Sequence, residues 1–232
     1  MVSETTNNGE TQATLQPFEG FIIPGIGFES GHIIWLFKFD NTPTPLGRHS
    51  SVWIESPTGK LSLYTDPPEA IEYSAPYHDF DQVVGASIDW TDADLDRIEV
   101  VMHAEDGTAL GLGAVLDHPA STRIMEGLAS LVPRAVQRSS AGAAVSSLSL
   151  NLLLDANGLK LRGTTETGAR YWGEADHLRT VQDASATLDG RDLGKQIPAS
   201  SSHDFGDVKT ARKPYVVFGA LHLEYPAQEQ PV

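Results

Sequence analysis

The middle of this chain twice alternates apolar and polar residues across a turn that carries glycine. The first instance covers residues 98–116, with Ile98, Val100 and Met102 on one face and the turn at 105–108. The second covers residues 147–162 and turns at Asn157-Gly158. Alternation with a period of two gives a strand one packed face and one solvated face, and Asn-Gly supplies the backbone angles of a tight turn. The sequence therefore predicts two β-hairpins within an antiparallel sheet that surrounds an interior.

Further strand signals recur along the chain, at residues 32–40, 51–56, 60–64, 82–90, 169–172, 178–188 and 215–224. Prolines on both sides confine residues 70–73 to a short edge segment. One helix is predicted over residues 121–132, where the apolar side chains recur with a period of 3.6, and residues 134–145 are either a second helix or a loop. These patterns predict a mostly β fold, an antiparallel β-barrel or a β-sandwich with one or two helices.

The chain has 232 residues and no linker rich in proline, glycine or serine, which favours one domain over residues 18–226. A domain of this size buries roughly 70 to 75% of its unfolded surface, enough for a core and an internal cavity. Residues 1–17 form a polar segment that we expect to be a disordered tail. They carry neither the basic start nor the apolar run of a signal peptide, so we expect a cytoplasmic protein.

Composition excludes several classes of function. The chain has no cysteine, which removes disulfides and thiolate chemistry, and its formal net charge of −15 disfavours nucleic acid as a partner. The most apolar stretch, residues 18–39, is interrupted by Pro24 and four glycines, so no membrane span is predicted. The sequence does not fix the oligomeric state, and a homodimer is compatible with it.

Three motifs that suggest cofactors or metals lack the required context. The glycines of residues 25–31 precede a strand instead of the helix that a phosphate site needs. Asp92, Asp94 and Asp96 alternate as in a calcium loop, but Arg97 stands where that loop has glycine. The eight histidines form no closely spaced pair. We therefore predict no cofactor and no metal.

Two segments place acid or base groups beside aromatic residues. One is the loop at residues 77–81, with His78 and Asp81, and the other is residues 166–177, with Glu166 and His177. These four residues are the candidate catalytic groups, although a solvated loop and an acidic turn would have the same composition. The candidate ligand-binding residues are aromatic, and they would equally suit an ordinary core: Trp35, Phe37, Trp53, Tyr171 and Trp172. Tyr171 and Trp172 are adjacent on one strand, so only one of them can face an interior.

Four stretches resemble a known family. They are residues 34–37 (IWLF), 51–61 (SVWIESPTGKL), 98–116, and 184–190 (ASATLDG). Their order is similar to the N-terminal half of the hydroxyneurosporene-synthase (carotenoid 1,2-hydratase) and AttH-type group, whose members have lipocalin-like barrels. The group's later Gly-Tyr-x-Asp-His-x-Trp-Gly signature is absent. The resemblance therefore implies a lipocalin-like barrel for a hydrophobic ligand more than it implies the group's hydratase or cyclase activity.

These observations lead to one expected function and two alternatives. We expect the protein to bind a small lipophilic molecule, such as an isoprenoid, a steroid or a polyketide, in an apolar cavity of the barrel. Without a cofactor, the expected reaction is acid/base chemistry on that molecule, which means hydration, isomerisation or cyclisation. The alternatives are a carrier that uses the same cavity without chemistry and an interaction domain with a filled core. A buried ionisable group at the cavity wall would favour the enzyme.

Overall fold

The structure is a computed structural model that describes residues 14–120, 122–123, 147, 151, 160–208, 210 and 212–225. Within these residues the chain forms twelve strands and a short helical segment between two of them, and residues 120, 122–123, 147 and 151 are also helical. The helical segment consists of a helix, α1 (Ile71–Ser74), with a 3-10 turn on each side. The strands are β1 (Thr14–Phe28), β2 (Ile33–Asn41), β3 (His49–Glu55), β4 (Leu61–Asp66), β5 (Gln82–Ala93), β6 (Arg97–Ala104), β7 (Ala109–Asp117), β8 (Arg162–Thr164), β9 (Arg170–Leu188), β10 (Arg191–Asp192), β11 (Gln196–Ile197) and β12 (Tyr215–Tyr225).

The strands belong to one large sheet. Pairing runs in the order β10-β9-β12-β1-β2-β3-β4-β5-β6-β7, and β7 pairs in addition with β9. The pairing therefore returns to a strand near its start. Neighbouring strands are antiparallel except β4 and β5, which are parallel because the helical segment carries the chain back between them.

Two apolar clusters cover the two faces of this sheet. On β2, Ile34 and Leu36 belong to one cluster and Trp35 and Phe37 to the other, as the alternation of side chains along a strand requires. The main core takes residues from β1 to β7, β9 and β12, including Ile98, Met102, Leu110 and Val216. The second group, which we call the aromatic cluster, consists of Phe18, Ile33, Trp35, Phe37, Phe39, Trp53, Leu61, Leu63, Tyr77, Tyr171, Ala199, Phe205 and Leu223.

Strand β3 lies between the two clusters, and all seven of its residues are buried. Val52 and Ile54 pack in the main core, whereas Trp53 packs in the aromatic cluster. A strand that is covered on both faces loses the polar positions of an amphipathic strand, so any polar side chain on it is enclosed by protein. The polar side chains of β3 therefore lie in the interior of the protein and not at its surface.

The predicted mostly β class is confirmed, and the first predicted hairpin is β6 and β7. The second hairpin falls mainly outside the described residues, but Ser147 and Asn151 are helical and the Asn151 amide donates to the Ser147 carbonyl at 2.7 Å. The prediction of a strand is therefore wrong at these two residues. Of the predicted helix at 121–132, only Thr122 and Arg123 are described, and they are helical. Residues 134–145 lie outside the described residues.

Three further differences lie near the start of the sheet and at residues 70–73. Thr14–Phe28 is a strand, so residues 14–17 belong to β1 and not to the predicted tail. The sequence pattern does not reveal β1, because the pairing of β1 with β2 shifts register twice, between Glu19 and Gly20 and between Ile23 and Ile26. Such bulges break the alternation of apolar residues. Residues 70–73 are helical and not a strand, which is compatible with proline at the first helical positions.

Candidate functional site

His78 and Glu166 form a partly buried histidine–carboxylate pair. Nδ1 of His78 lies 2.9 Å from Oε2 and 3.0 Å from Oε1 of Glu166. The His78 side chain is 9% exposed and the Glu166 side chain 16%. A carboxylate only accepts hydrogen bonds, so Nδ1 carries the proton and donates it. In the neutral ring Nε2 is then an acceptor, and the described residues offer it no hydrogen-bond partner.

Two loops that are distant in sequence hold this pair. His78 directly follows the second 3-10 turn, and Glu166 lies in the turn between β8 and β9. The Asp79 N–H donates to Glu166 Oε1 at 3.0 Å, and the Thr167 hydroxyl donates to the Tyr77 carbonyl at 3.0 Å. These bonds join the two loops at adjacent residues, so the His78 ring and the Glu166 carboxylate are fixed relative to each other.

A glycine allows the Glu166 turn to sit close to a third loop. Gly206 has φ of +69°, and a Cβ atom there would lie 2.6 Å from the Thr164 carbonyl oxygen. The two loops are also joined by a hydrogen bond, in which the backbone N–H of Asp207 donates to the same Thr164 carbonyl at 2.8 Å. Only glycine satisfies both the backbone angle and the close approach at this position.

Aromatic rings surround the His78 imidazole. The Trp53 ring is 4.7 Å away and the Phe205 ring 5.4 Å away, measured between centroids, and both meet His78 edge to face. Phe205 is held there by its loop, because Ser201 and Ser202 both donate hydroxyl hydrogen bonds to the buried Glu55 carboxylate of β3. The pair therefore lies at the edge of the aromatic cluster and not in the main core.

A small pocket adjoins the pair, with a volume of about 50 Å³. This volume is enough for a few water molecules. Eight of its twelve lining residues are aromatic or leucine, and the other four are two histidines and two serines. The lining residues are Phe18, Phe37, Phe39, His49, Ser51, Trp53, Tyr73, Ser74, Tyr77, His78, Leu221 and Leu223.

The surroundings shift the pKa of three groups near the pocket. Burial acts to raise the pKa of Glu166, but the hydrogen bonds and charge of His78, together with backbone N–H groups, outweigh it, so that this pKa lies below its ordinary value. Burial lowers the pKa of His49 to about 4, which makes this imidazole neutral near pH 7. Burial raises the pKa of Tyr171, whose hydroxyl donates to the Lys160 carbonyl at 3.0 Å.

The structure brings together some of the candidates that the sequence predicts. His78 and Glu166, predicted in separate segments, form one pair, and Trp53 and Phe37 line the adjoining pocket. Trp35 and Tyr171 belong to the same aromatic cluster without lining the pocket.

Three other candidates lie apart from the pair. Asp81 is exposed, and its carboxylate accepts the Leu61 N–H at 2.8 Å, which fixes the loop to β4. His177 is exposed and pairs with Phe218 on β12. Trp172 stacks on His222 at 4.2 Å, on the face opposite Tyr171, as the alternation along the strand predicts. These three residues therefore lie outside the site that His78 and Glu166 form, and the roles predicted for them stay predictions.

Sequence reasoning missed His49, which lines the pocket from β3. The sequence does indicate the position of His49, because His49, Ser51 and Trp53 are alternate residues over residues 49–53 and therefore share a face when this stretch is a strand. In the ranges that the structure describes, no group of three or more histidine or carboxylate side chains is placed to hold a metal ion. No helix of these same ranges is long and apolar enough to span a membrane.

Fold and site together define a mostly β protein in which a histidine–carboxylate pair adjoins a small aromatic pocket. The chain matches no protein-family model, no curated protein and no solved structure.

Proposed function

We propose that this protein binds a small lipophilic molecule at the aromatic pocket and that His78, oriented by Glu166, transfers a proton on it. The reaction would be a cofactor-independent hydration, isomerisation or cyclisation. The observation that carries the proposal is the hydrogen bond of His78 Nδ1 to Glu166 at 2.9 Å, beside a pocket that His78 itself lines.

The pair has the properties of a general base. Glu166 fixes the tautomer in which Nδ1 is protonated, so the lone pair of Nε2 is available to take a proton from a bound molecule. As Nε2 takes the proton, the ring becomes an imidazolium, and the adjacent carboxylate stabilises that charge. The lowered pKa of Glu166 supports this role, because the carboxyl group is then ionised throughout the neutral range.

The size of the pocket limits what it can enclose. About 50 Å³ holds a small group and not a whole isoprenoid or steroid. The reacting end of the molecule would therefore enter beside His78 while the rest lies outside. Tyr73, Ser74 and Tyr77 form one wall of the pocket, and a larger ligand would require the helical segment that carries them to move.

We also propose that the sheet is a lipocalin-like barrel of the hydroxyneurosporene-synthase and AttH-type kind. The pairing of β7 with β9 over residues 110–117 supports a closed sheet. The main core fills one face of this sheet, so a ligand held inside would have to displace packed side chains such as Leu36 and Met102. The pocket at the aromatic cluster is the better place for a ligand.

A non-catalytic carrier is the second candidate. The observation that favours it is the apolar lining, in which eight of twelve residues are aromatic or leucine. In a carrier, His78 and Glu166 would only join two loops. Because both candidates use the same pocket, binding alone does not distinguish them.

Turnover in labelled water distinguishes the two candidates. Small molecules that co-purify with the protein would be identified by mass spectrometry and incubated with it in D2O and in H2 18O. Hydration adds one water molecule and therefore introduces labelled oxygen. Isomerisation or cyclisation with proton exchange replaces a hydrogen by deuterium and adds no oxygen. We expect His78→Gln and Glu166→Gln to lower the rate by about 10² to 10⁴ while binding is nearly retained.

His103→Gln is the control, because His103 is an exposed histidine on β6. Wild-type rates in both His78→Gln and Glu166→Gln would contradict the catalytic proposal. Tight binding without label in any product would favour the carrier.

A further inference from the structure

Strand β3 contributes a row of polar side chains to the pocket. His49, Ser51 and Trp53 occupy alternate positions, all three line the pocket, and they are 4%, 3% and 8% exposed. Alternate residues of a strand share one face, so the row follows from the backbone. The same face of the neighbouring β2 carries Phe37 and Phe39, which makes the surroundings of the row apolar.

Two atoms of this row are buried without a partner. Nδ1 of His49 and Nε1 of Trp53 make no hydrogen bond within the part of the chain that the structure describes. A buried polar group without a partner destabilises the folded state, and native proteins leave few of them. Both atoms belong to side chains that line the same pocket, so a polar guest there is a candidate partner for them.

The chemistry of the two atoms limits that guest. The indole N–H of Trp53 only donates, so it requires an acceptor such as oxygen. His49 offers no charge near pH 7, because its pKa is lowered to about 4. An ammonium group has no lone pair to accept the Trp53 N–H, and a carboxylate would be buried beside this row without an opposite charge, at high cost. A carbonyl or hydroxyl group meets the requirement without that cost.

We infer that the molecule bound in this pocket is an uncharged lipophile with a carbonyl or hydroxyl oxygen, and that His49 and Trp53 hydrogen-bond to that oxygen-bearing part. The inference rests on the proposed function in assuming that the ligand occupies this pocket. It adds the class of ligand: neutral oxygenated compounds, as opposed to pure hydrocarbons or carboxylic acids. An oxygen near His78 would also make neighbouring C–H or O–H protons more acidic, which suits a general base.

The test compares two probes of similar shape, cyclobutanone and methylenecyclobutane. They differ in that a carbonyl oxygen replaces a methylene group. The readout is the indole N–H signals of the four tryptophans in 1H–15N NMR spectra, with the Trp53 signal assigned by its loss in Trp53→Phe. We expect cyclobutanone to shift the Trp53 signal in a saturable manner and to bind about fivefold to tenfold more tightly than methylenecyclobutane. Trp172, which stacks on His222, is the internal control and should not shift.

Trp53→Phe keeps an aromatic ring and removes the donor. We expect this variant to lose the preference for cyclobutanone, with the three remaining indole signals showing that it is folded. Equal affinity for both probes in the wild-type protein overturns the inference. Failure of both probes to bind also overturns it, and leaves bound water as the partner of the two atoms.

The two proposals fail separately. Selective binding of cyclobutanone with no change of turnover in His78→Gln would leave this inference standing and remove the catalytic function. If turnover falls in His78→Gln but the two probes bind equally well, the catalytic function stands and this inference about the ligand class fails.

Discussion

His78 Nδ1 lies 2.9 Å from Oε2 of Glu166, although the two residues are 88 positions apart in the chain. The contact joins a loop after the helical segment to the turn between β8 and β9. The contact brings the candidate segments at residues 77–81 and 166–177 together in one site. Asp81 and His177 lie outside that site.

The first prediction concerns the pH dependence of the Glu166 contribution to stability. The pKa of Glu166 is lower in the folded protein than its ordinary value of 4.5, so the folded state binds the carboxyl proton more weakly than the unfolded state does. This contribution is fully present above pH 4.5 and is lost as the pH falls through the lowered folded pKa. We expect the difference in unfolding free energy between wild type and Glu166→Gln to be largest near pH 7 and to shrink below pH 4.5. Urea denaturation at several pH values measures it, and a difference independent of pH would contradict the assigned contact.

The second prediction concerns the buried His49. Its folded pKa of about 4 lies below its ordinary value of 6.5, so between these pH values the unfolded state binds more protons and stability falls as the pH is lowered. We expect protonation of this group to lower the unfolding free energy of the wild type by on the order of 3 kcal/mol between pH 7 and pH 4. His49→Phe should lack that part of the loss, because phenylalanine does not titrate and the neighbouring rings are Phe18 and Phe39. Parallel stability curves for the two proteins would show that His49 is exposed to water.

The third prediction tests the close approach at Gly206. Gly206→Ala places a Cβ atom 2.6 Å from the Thr164 carbonyl oxygen, so the turn that carries Glu166 must move. Gly168→Ala is the matched control, since Gly168 also has positive φ, at +87°, but a Cβ atom there would have no neighbouring atom within 4 Å. We expect Gly168→Ala to cost about 1 kcal/mol of stability and Gly206→Ala to cost clearly more. In 15N NMR of the histidine rings, only Gly206→Ala should change the Nδ1 signal of His78.

The fourth prediction tests which face of β7 packs in the main core. Leu112 is 4% exposed and Val115 is 42% exposed on the same strand. We expect Leu112→Ala to lower the unfolding free energy by about 2 to 5 kcal/mol and Val115→Ala by less than about 0.5 kcal/mol. Chemical denaturation measures both values. Similar costs at the two positions would mean that the assigned strand register is wrong.

The sequence by itself determined the local features of this protein. Alternation of apolar and polar residues and a glycine turn placed β6 and β7, and the same alternation separated Tyr171 from Trp172. These features depend on residues that are neighbours in the chain, so a local pattern contains them. Where a bulge shifts the pattern, as in β1, or where residues 147 and 151 are helical within an alternating stretch, the local pattern fails.

Only the tertiary structure decided the site. The packing of loops and strands that are far apart in the chain decides which face of β2 contacts the aromatic cluster. The same packing brings His78 into contact with Glu166. The burial of His49 follows from the same packing, because nothing within residues 49–55 shows that β3 is covered on both faces. Contacts of this kind are set by the sum of many long-range interactions, and no local pattern of residue types encodes them.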